Sequence, residues 1–158
     1  IPQVTGVGLP LSLLLLLKEN FPKRFAGIKD SSGDYEYAKS IVAGLGKDSL
    51  ILVGNDKLLG PGLKLGVSGC ITSFANLSSP LLREIWDGFQ NGEDIGALQD
   101  KLNAGRAILE SYTPFPSSLK GLLQNIFELH EEHVRPPLLA TPQSDINNAA
   151  QKLMEYIK

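Results

Sequence analysis

The chain has 158 residues and a formal net charge of -2, long enough for one domain with a sizeable core and without the basic excess of a nucleic-acid-binding protein. Its one cysteine, Cys70, excludes an intrachain disulfide and fits a reducing cytoplasm. The longest apolar block, residues 13–17 with neighbours back to Val7, is interrupted by Pro10 and Ser12; it falls short of the ~20 apolar residues of a membrane span and lacks the basic flank of a secretory signal.

In chain order, "IPQVTGVG" opens on a turn containing proline and glycine, and "LPLSLLLLLKENFP" (9–22) is rich in helix formers and stops before Pro22, which predicts a leucine-rich helix. "FAGIKD" (25–30) is short and apolar with a turn after it, the pattern of a buried strand. "GDYEYAKSIVAGLG" (33–46) predicts a helix capped by Ser32 or Asp34 and ended by Gly44 and Gly46. The unit then repeats: a strand in "SLILVG" (49–54), a short helix weakened by glycines and Pro61 in 57–66, and a third strand in "GCITSF" (69–74). Apolar strands alternating with helices predict a parallel sheet covered by helices.

After Asn76 the alternation stops and a run of helices begins. Ser79 is the expected N-cap and Pro80 the first helical residue of 79–93, with Leu82, Ile85, Trp86 and Phe89 on one face. Further helices are expected at 94–112, 116–132 and 142–158, with "VRPPLLATP" as an extended linker. The boundary falls between a βα part, 1–78, and a helical part, 79–158, within one structural unit.

Lys29 is the residue with most chemical interest. A lysine at the C-terminal end of a parallel strand faces the crevice where α/β proteins bind ligands. Partial burial there disfavours the ammonium form and frees a nucleophilic amine, although strand-end lysines are also commonly just solvated. The other candidates are weaker. His130 and His133 stand three apart in "ELHEEHVR", not at the H-E-x-x-H spacing of a zinc site, so a solvated helix end is expected. Cys70 reads as strand packing. Ser31, Ser32 and Gly33 form either an anion-binding turn or a helix cap, and Tyr35 and Tyr37 face different ways on their helix.

Five co-ordered stretches carry a resemblance that spans essentially the whole chain. "GIKDSSGD" (27–34) resembles the Schiff-base lysine segment of the dihydrodipicolinate synthase and N-acetylneuraminate lyase superfamily of class I aldolases. "ILVGND" (51–56) and "LGVSGCITSFANLSSPLLREIWDGFQNGE" (65–93) are similar to its seventh and eighth barrel strands, and "PFPSSLKGLLQ" with "VRPPL" to its C-terminal helices. The resemblance implies the C-terminal part of a (β/α)8 TIM barrel, about strands 6 to 8 with their helices, plus a C-terminal helical appendage. It implies Lys29 as the iminium-forming lysine, Ile71 as the residue whose backbone carbonyl contacts pyruvate, Gly54 in the lining of the same pocket, and Thr5 with Gly6 in the turn after strand five.

The same resemblance implies a carbon–carbon lyase acting on pyruvate or another 2-oxo acid together with an aldehyde, without metal or organic cofactor, cytoplasmic and homo-oligomeric. The family's proton-relay tyrosine and the glycine motif that binds the pyruvate carboxylate have no counterpart between Ile1 and Lys158, so the chain reads as a fragment, catalytically weak or inactive when isolated and prone to self-association through open sheet edges. Val4 stands where the synthases carry an arginine that holds the aldehyde's carboxylate, which argues against aspartate semialdehyde and for a 2-keto-3-deoxy sugar acid or 4-hydroxy-2-oxoglutarate. The rival expectation is a non-catalytic half-barrel that keeps the fold for interaction or regulation.

Overall fold

The computed structural model describes residues 1–130 and 133–157. They form two compact units, the first made of residues 1–72 and 89–93, the second of residues 73–88 and the chain from 94 on.

The first unit begins with a one-turn helix, α1 (Pro2–Thr5), where the sequence predicts only a turn. Pro2 suits the first helical turn because its missing N–H has no intrahelical use, and Gly6 ends the turn at φ 69°. The leucine-rich helix α2 (Leu11–Asn20) stops just ahead of Pro22. Strand β1 (Gly27–Asp30) leads to α3 (Tyr35–Leu45), and Asp34, not Ser32, is its cap. The Asp34 carboxylate accepts from the N–H groups of Glu36 (2.9 Å) and Tyr37 (3.1 Å), an arrangement worth about 1 kcal/mol. Strand β2 (Leu50–Val53), a single 3₁₀ turn (Asp56–Leu58) and α4 (Leu59–Leu65) come next. Strand β3 (Gly69–Cys70) has two residues where six are expected. It is short because β2 ends at Val53, and the Ile71 N–H donating to Val53 O at 3.0 Å is the last rung.

The three strands are parallel, in the order β1-β2-β3. The register sets Lys29 opposite Leu52 and Leu52 opposite Gly69. Side chains alternate along a strand, so Lys29, Leu50, Leu52 and Ile71 share one face, while Ile28, Asp30, Ile51, Val53 and Cys70 share the other. The second face holds the core: Ile51 and Val53 are buried together with Ala38, Ile41 and Leu45 of α3 and Leu59 and Leu63 of α4. The first face is open, with Leu50 56% and Ile71 50% exposed. Strands expected to be buried throughout are thus covered on one side only.

The second unit is helical. Helix α5 (Ala75–Gln90) contains a break at Ser78 (φ -137°, ψ 39°), so the non-helical residue ahead of Pro80 is Ser78 and not the expected cap, Ser79. The Ser78 hydroxyl donates to Tyr156 O at 3.3 Å. Leu82 and Ile85 are buried and Trp86 is half-buried, with the Arg83 guanidinium 4.9 Å from the Trp86 ring centroid. Helices α6 (Gly96–Glu110), α7 (Phe115–Phe127) and α8 (Gln143–Ile157) pack on one another around Leu102, Leu109, Leu122, Ile146, Ala149 and Leu153. Helix α7 ends five residues before the expected 132, because Glu128 turns into the left-handed region at φ 52°; Glu131 and Glu132 lie outside the described residues.

No helix among the described residues is long and apolar enough to cross a membrane.

Candidate functional site

Lys29 is the penultimate residue of β1 and is exposed on the open face of the sheet. The partial burial expected of it is therefore absent. The turn after Lys29 is, by contrast, tightly specified. The buried Asp30 carboxylate accepts from the Ser32 N–H and from the Ser32 hydroxyl, both at 2.9 Å, and the Asp34 N–H donates to the Ser32 oxygen at 3.1 Å. Ser32 therefore closes the turn between Asp30 and Asp34, while the cap of α3 is Asp34. Gln3 Nε2 donates to Ser32 O at 2.6 Å and ties the chain near α1 to the same turn.

Gly54 comes directly after β2, and its N–H donates to Asp30 O at 2.6 Å. A Cβ at Gly54 would lie 2.8 Å from Ser31 Cβ and 2.9 Å from Ser31 Cα, closer than such atoms approach. The residue is a spacer that lets the turn after Lys29 sit directly on β2. Ile71 lies just past β3, on the same face as Lys29 and two residues nearer the C-terminal edge than Gly69. Thr5 is exposed, and its hydroxyl is engaged locally: Ile1 O at 3.0 Å and Val7 O at 2.9 Å are its acceptors, and the Val7 N–H reaches its oxygen at 3.4 Å. Lys29, Gly54 and Ile71 thus gather at the C-terminal edge of the sheet, whereas Thr5 closes its own turn. Val4, one residue earlier, is 80% exposed.

Sequence reasoning missed the most deeply buried polar group here. The Asp56 side chain is fully buried and accepts a short hydrogen bond from the Thr72 hydroxyl, which joins the end of β2 to the end of β3. Its only signal is the acid after "VGN", a position that reads as a solvated turn. Tyr37, half-buried, donates its hydroxyl to Leu9 O, and burial, then the neighbouring Asp30 charge, raises its pKa.

Cys70 is held inert. Burial, then the Asp56 charge, pushes its thiol up to about 11, and the thiol form is not the nucleophile. Its alkylation by iodoacetamide should therefore stay slow at pH 8 and climb only as the pH approaches about 11. A rate at pH 8 matching that of a free cysteine would contradict this.

His130 and His133 are both exposed, and among the described residues no group of three or more His, Cys, Asp or Glu side chains is gathered to hold a metal ion.

A short parallel sheet backed by helices, together with a C-terminal set of packed helices, is part of a (β/α) barrel. Residues 1–156 match the dihydrodipicolinate synthetase family, and the chain belongs to that family. A DapA-like lyase of Chloroflexus aurantiacus is 33% identical over 146 residues, 92% of this chain and 48% of that protein. An N-acetylneuraminate lyase of Lactiplantibacillus plantarum is 43% identical over 93 residues, covering 59% of this chain and 31% of that protein. Among solved structures, a dihydrodipicolinate synthase-like protein of Thermus thermophilus matches with a TM-score of 0.83 at 30% identity, over 98% of this chain and 54% of that one. YagE of E. coli K12, solved in complex with pyruvate, shares the fold with a TM-score of 0.90 at 20% identity, over 99% of this chain and 54% of that one. The chain spans about half the length, or less, of the relatives it matches.

Proposed function

We propose that Lys29 is the Schiff-base lysine of a class I aldolase or lyase whose donor substrate is pyruvate or another 2-oxo acid. The observation that carries this reading is Lys29 on the open face at the C-terminal edge of a parallel sheet, in a chain of this family. The Nζ lone pair attacks the ketone carbon to give a carbinolamine, and loss of water leaves an iminium. The cation draws electrons from the adjacent carbon, so a proton leaves that carbon and an enamine forms, which adds to an aldehyde; the reverse sequence cleaves the carbon–carbon bond.

The second substrate is read from Val4. An exposed valine cannot make the bidentate contact that an arginine offers a carboxylate. The acceptor is accordingly an aldehyde without a carboxylate at that point, as in the cleavage of a 2-keto-3-deoxy sugar acid. Cytoplasmic location and homo-oligomeric assembly belong to the same proposal, the latter because the open face and the free edges of β1 and β3 offer a surface for another chain.

Reductive trapping tests the reading. Pyruvate and borohydride should add the mass of one reduced pyruvate less water to the chain, on the peptide carrying Lys29, and Lys29→Ala should abolish the adduct. Labelling spread over surface lysines, unchanged in Lys29→Ala, would sink the assignment. The exposure of Lys29 favours a second reading, a half-barrel that serves interaction without catalysis. That reading requires no Lys29-specific adduct even in a protein completed by the rest of a barrel.

A further inference from the structure

The buried Asp56 carboxylate takes no part in the imine chemistry, yet a carboxylate away from water is costly unless its hydrogen bonds are made. It stands past the C-terminal end of β2, in the 3₁₀ turn Asp56–Leu58. There it accepts from the Thr72 hydroxyl, and it is near enough to Cys70 for its charge to act on that thiol. Cys70 and Thr72 flank Ile71 in the chain. Their side chains point to the covered face, and the Ile71 side chain points to the open one. Asp56 therefore holds the residue that follows Ile71, while the Ile71 N–H is pinned to Val53 O at 3.0 Å. Hydrogen bonds to a charged acceptor are shorter and stronger than those between neutral groups, so this bond restrains the peptide unit that links Ile71 to Thr72.

We propose that Asp56, acting through Thr72, is a positioning residue: it fixes the Ile71 main chain at the C-terminal edge of the sheet, where the 2-oxo acid is received. The proposal rests on the reading of Lys29 and Ile71 as its site. It assigns Asp56 no contact with the substrate.

Two measurements on the 158-residue chain separate this idea from the reading beneath it. Amide hydrogen exchange, monitored by NMR, reports the grip without any substrate. In Thr72→Val the Ile71 amide should exchange about tenfold faster, with Lys29 and Ile28 unchanged, and Thr72→Ser should restore the slow rate. Unchanged exchange at Ile71 in Thr72→Val would overturn the proposal. The pyruvate dependence of borohydride trapping reports the consequence. The half-saturating pyruvate concentration should rise about tenfold in Thr72→Val, the limiting rate at Lys29 should move little, and Thr72→Ser should again recover the parent value. A variant that is less stable but has the parent half-saturation would equally overturn it. If the parent chain gives no Lys29 adduct, the Schiff-base reading has failed, and the exchange experiment alone decides whether Asp56 fixes Ile71. Should Thr72→Val not fold, Asp56→Asn keeps one acceptor oxygen and removes the charge, and the same two readouts apply.

Discussion

Alanine in place of Gly27 is expected to cost the chain about 3 kcal/mol or more and to separate β1 from β2. The reason lies in the backbone rather than in any side chain. A Cβ at Gly27 would lie 2.6 Å from the Leu50 carbonyl carbon and 2.7 Å from the Leu50 nitrogen, with φ at 152°. No rotamer change relieves a contact with backbone, so one strand must move. That movement breaks the Leu50 N–H to Ala26 O bond of 2.8 Å, which starts the parallel ladder. Gly6→Ala supplies the comparison, since its φ of 69° imposes conformational strain but its Cβ would meet nothing within 4 Å; it should cost about 1 kcal/mol. Chemical denaturation of the two variants measures the difference. Equal losses would mean that conformational strain, and not the close approach of the strands, is what Gly27 relieves.

That close approach bears on the site because β1 carries Lys29 two residues later. How far the site is legible in the sequence depends on what kind of force sets each part. The short apolar runs ending in turn residues specify the strands and their parallel order, since period and punctuation are local properties. Lys29 at the end of "GIKD" is visible for the same reason, and so is Asp34 as one of two caps. The openness of the face it stands on is not. Leu50, Leu52 and Ile71 read as core residues, because apolarity records what a side chain tolerates and not what covers it. The expected half-burial of Lys29 fails with them.

Asp56 shows the opposite error. An acid after "VGN" reads as a solvated turn residue, and only the three-dimensional meeting of the β2 and β3 ends supplies the Thr72 hydroxyl that makes burial tolerable. Ser78 and Glu128 escape a sequence reading because they adopt conformations that local propensity ranks low. Ser78 leaves helical geometry beside Pro80, and Glu128 takes φ 52° without being glycine. Thr5 is tied to the site by resemblance alone, and its hydroxyl instead binds Ile1 O and Val7 O within its own turn.

Gly54 offers a stronger test of the site through its close packing than through any lining of a pocket. Gly54→Ala puts a methyl group 2.8 Å from Ser31 Cβ and 2.9 Å from Ser31 Cα. Ser31 is the second residue after Lys29, and it cannot withdraw freely. Asp30 O is bonded to the Gly54 N–H at 2.6 Å, and Ser32 is held to Asp30 through two hydrogen bonds of 2.9 Å. The turn must therefore shift as a body and carry the end of β1 with it. The expected stability loss is about 1–3 kcal/mol, that of an overpacked contact. A displacement of the nucleophile by about 1 Å is enough to slow Lys29 trapping by about 100-fold. Ser31→Gly removes the nearer of the two Ser31 carbons, Cβ, and leaves Cα, so the double variant Gly54→Ala/Ser31→Gly should recover part of both losses. The two changes are then coupled rather than additive. Trapping rates and denaturation midpoints for the two single variants and the double variant complete the cycle. Additive effects would mean that Ser31 and Gly54 act independently, and the turn after Lys29 would lose its part in holding the amine.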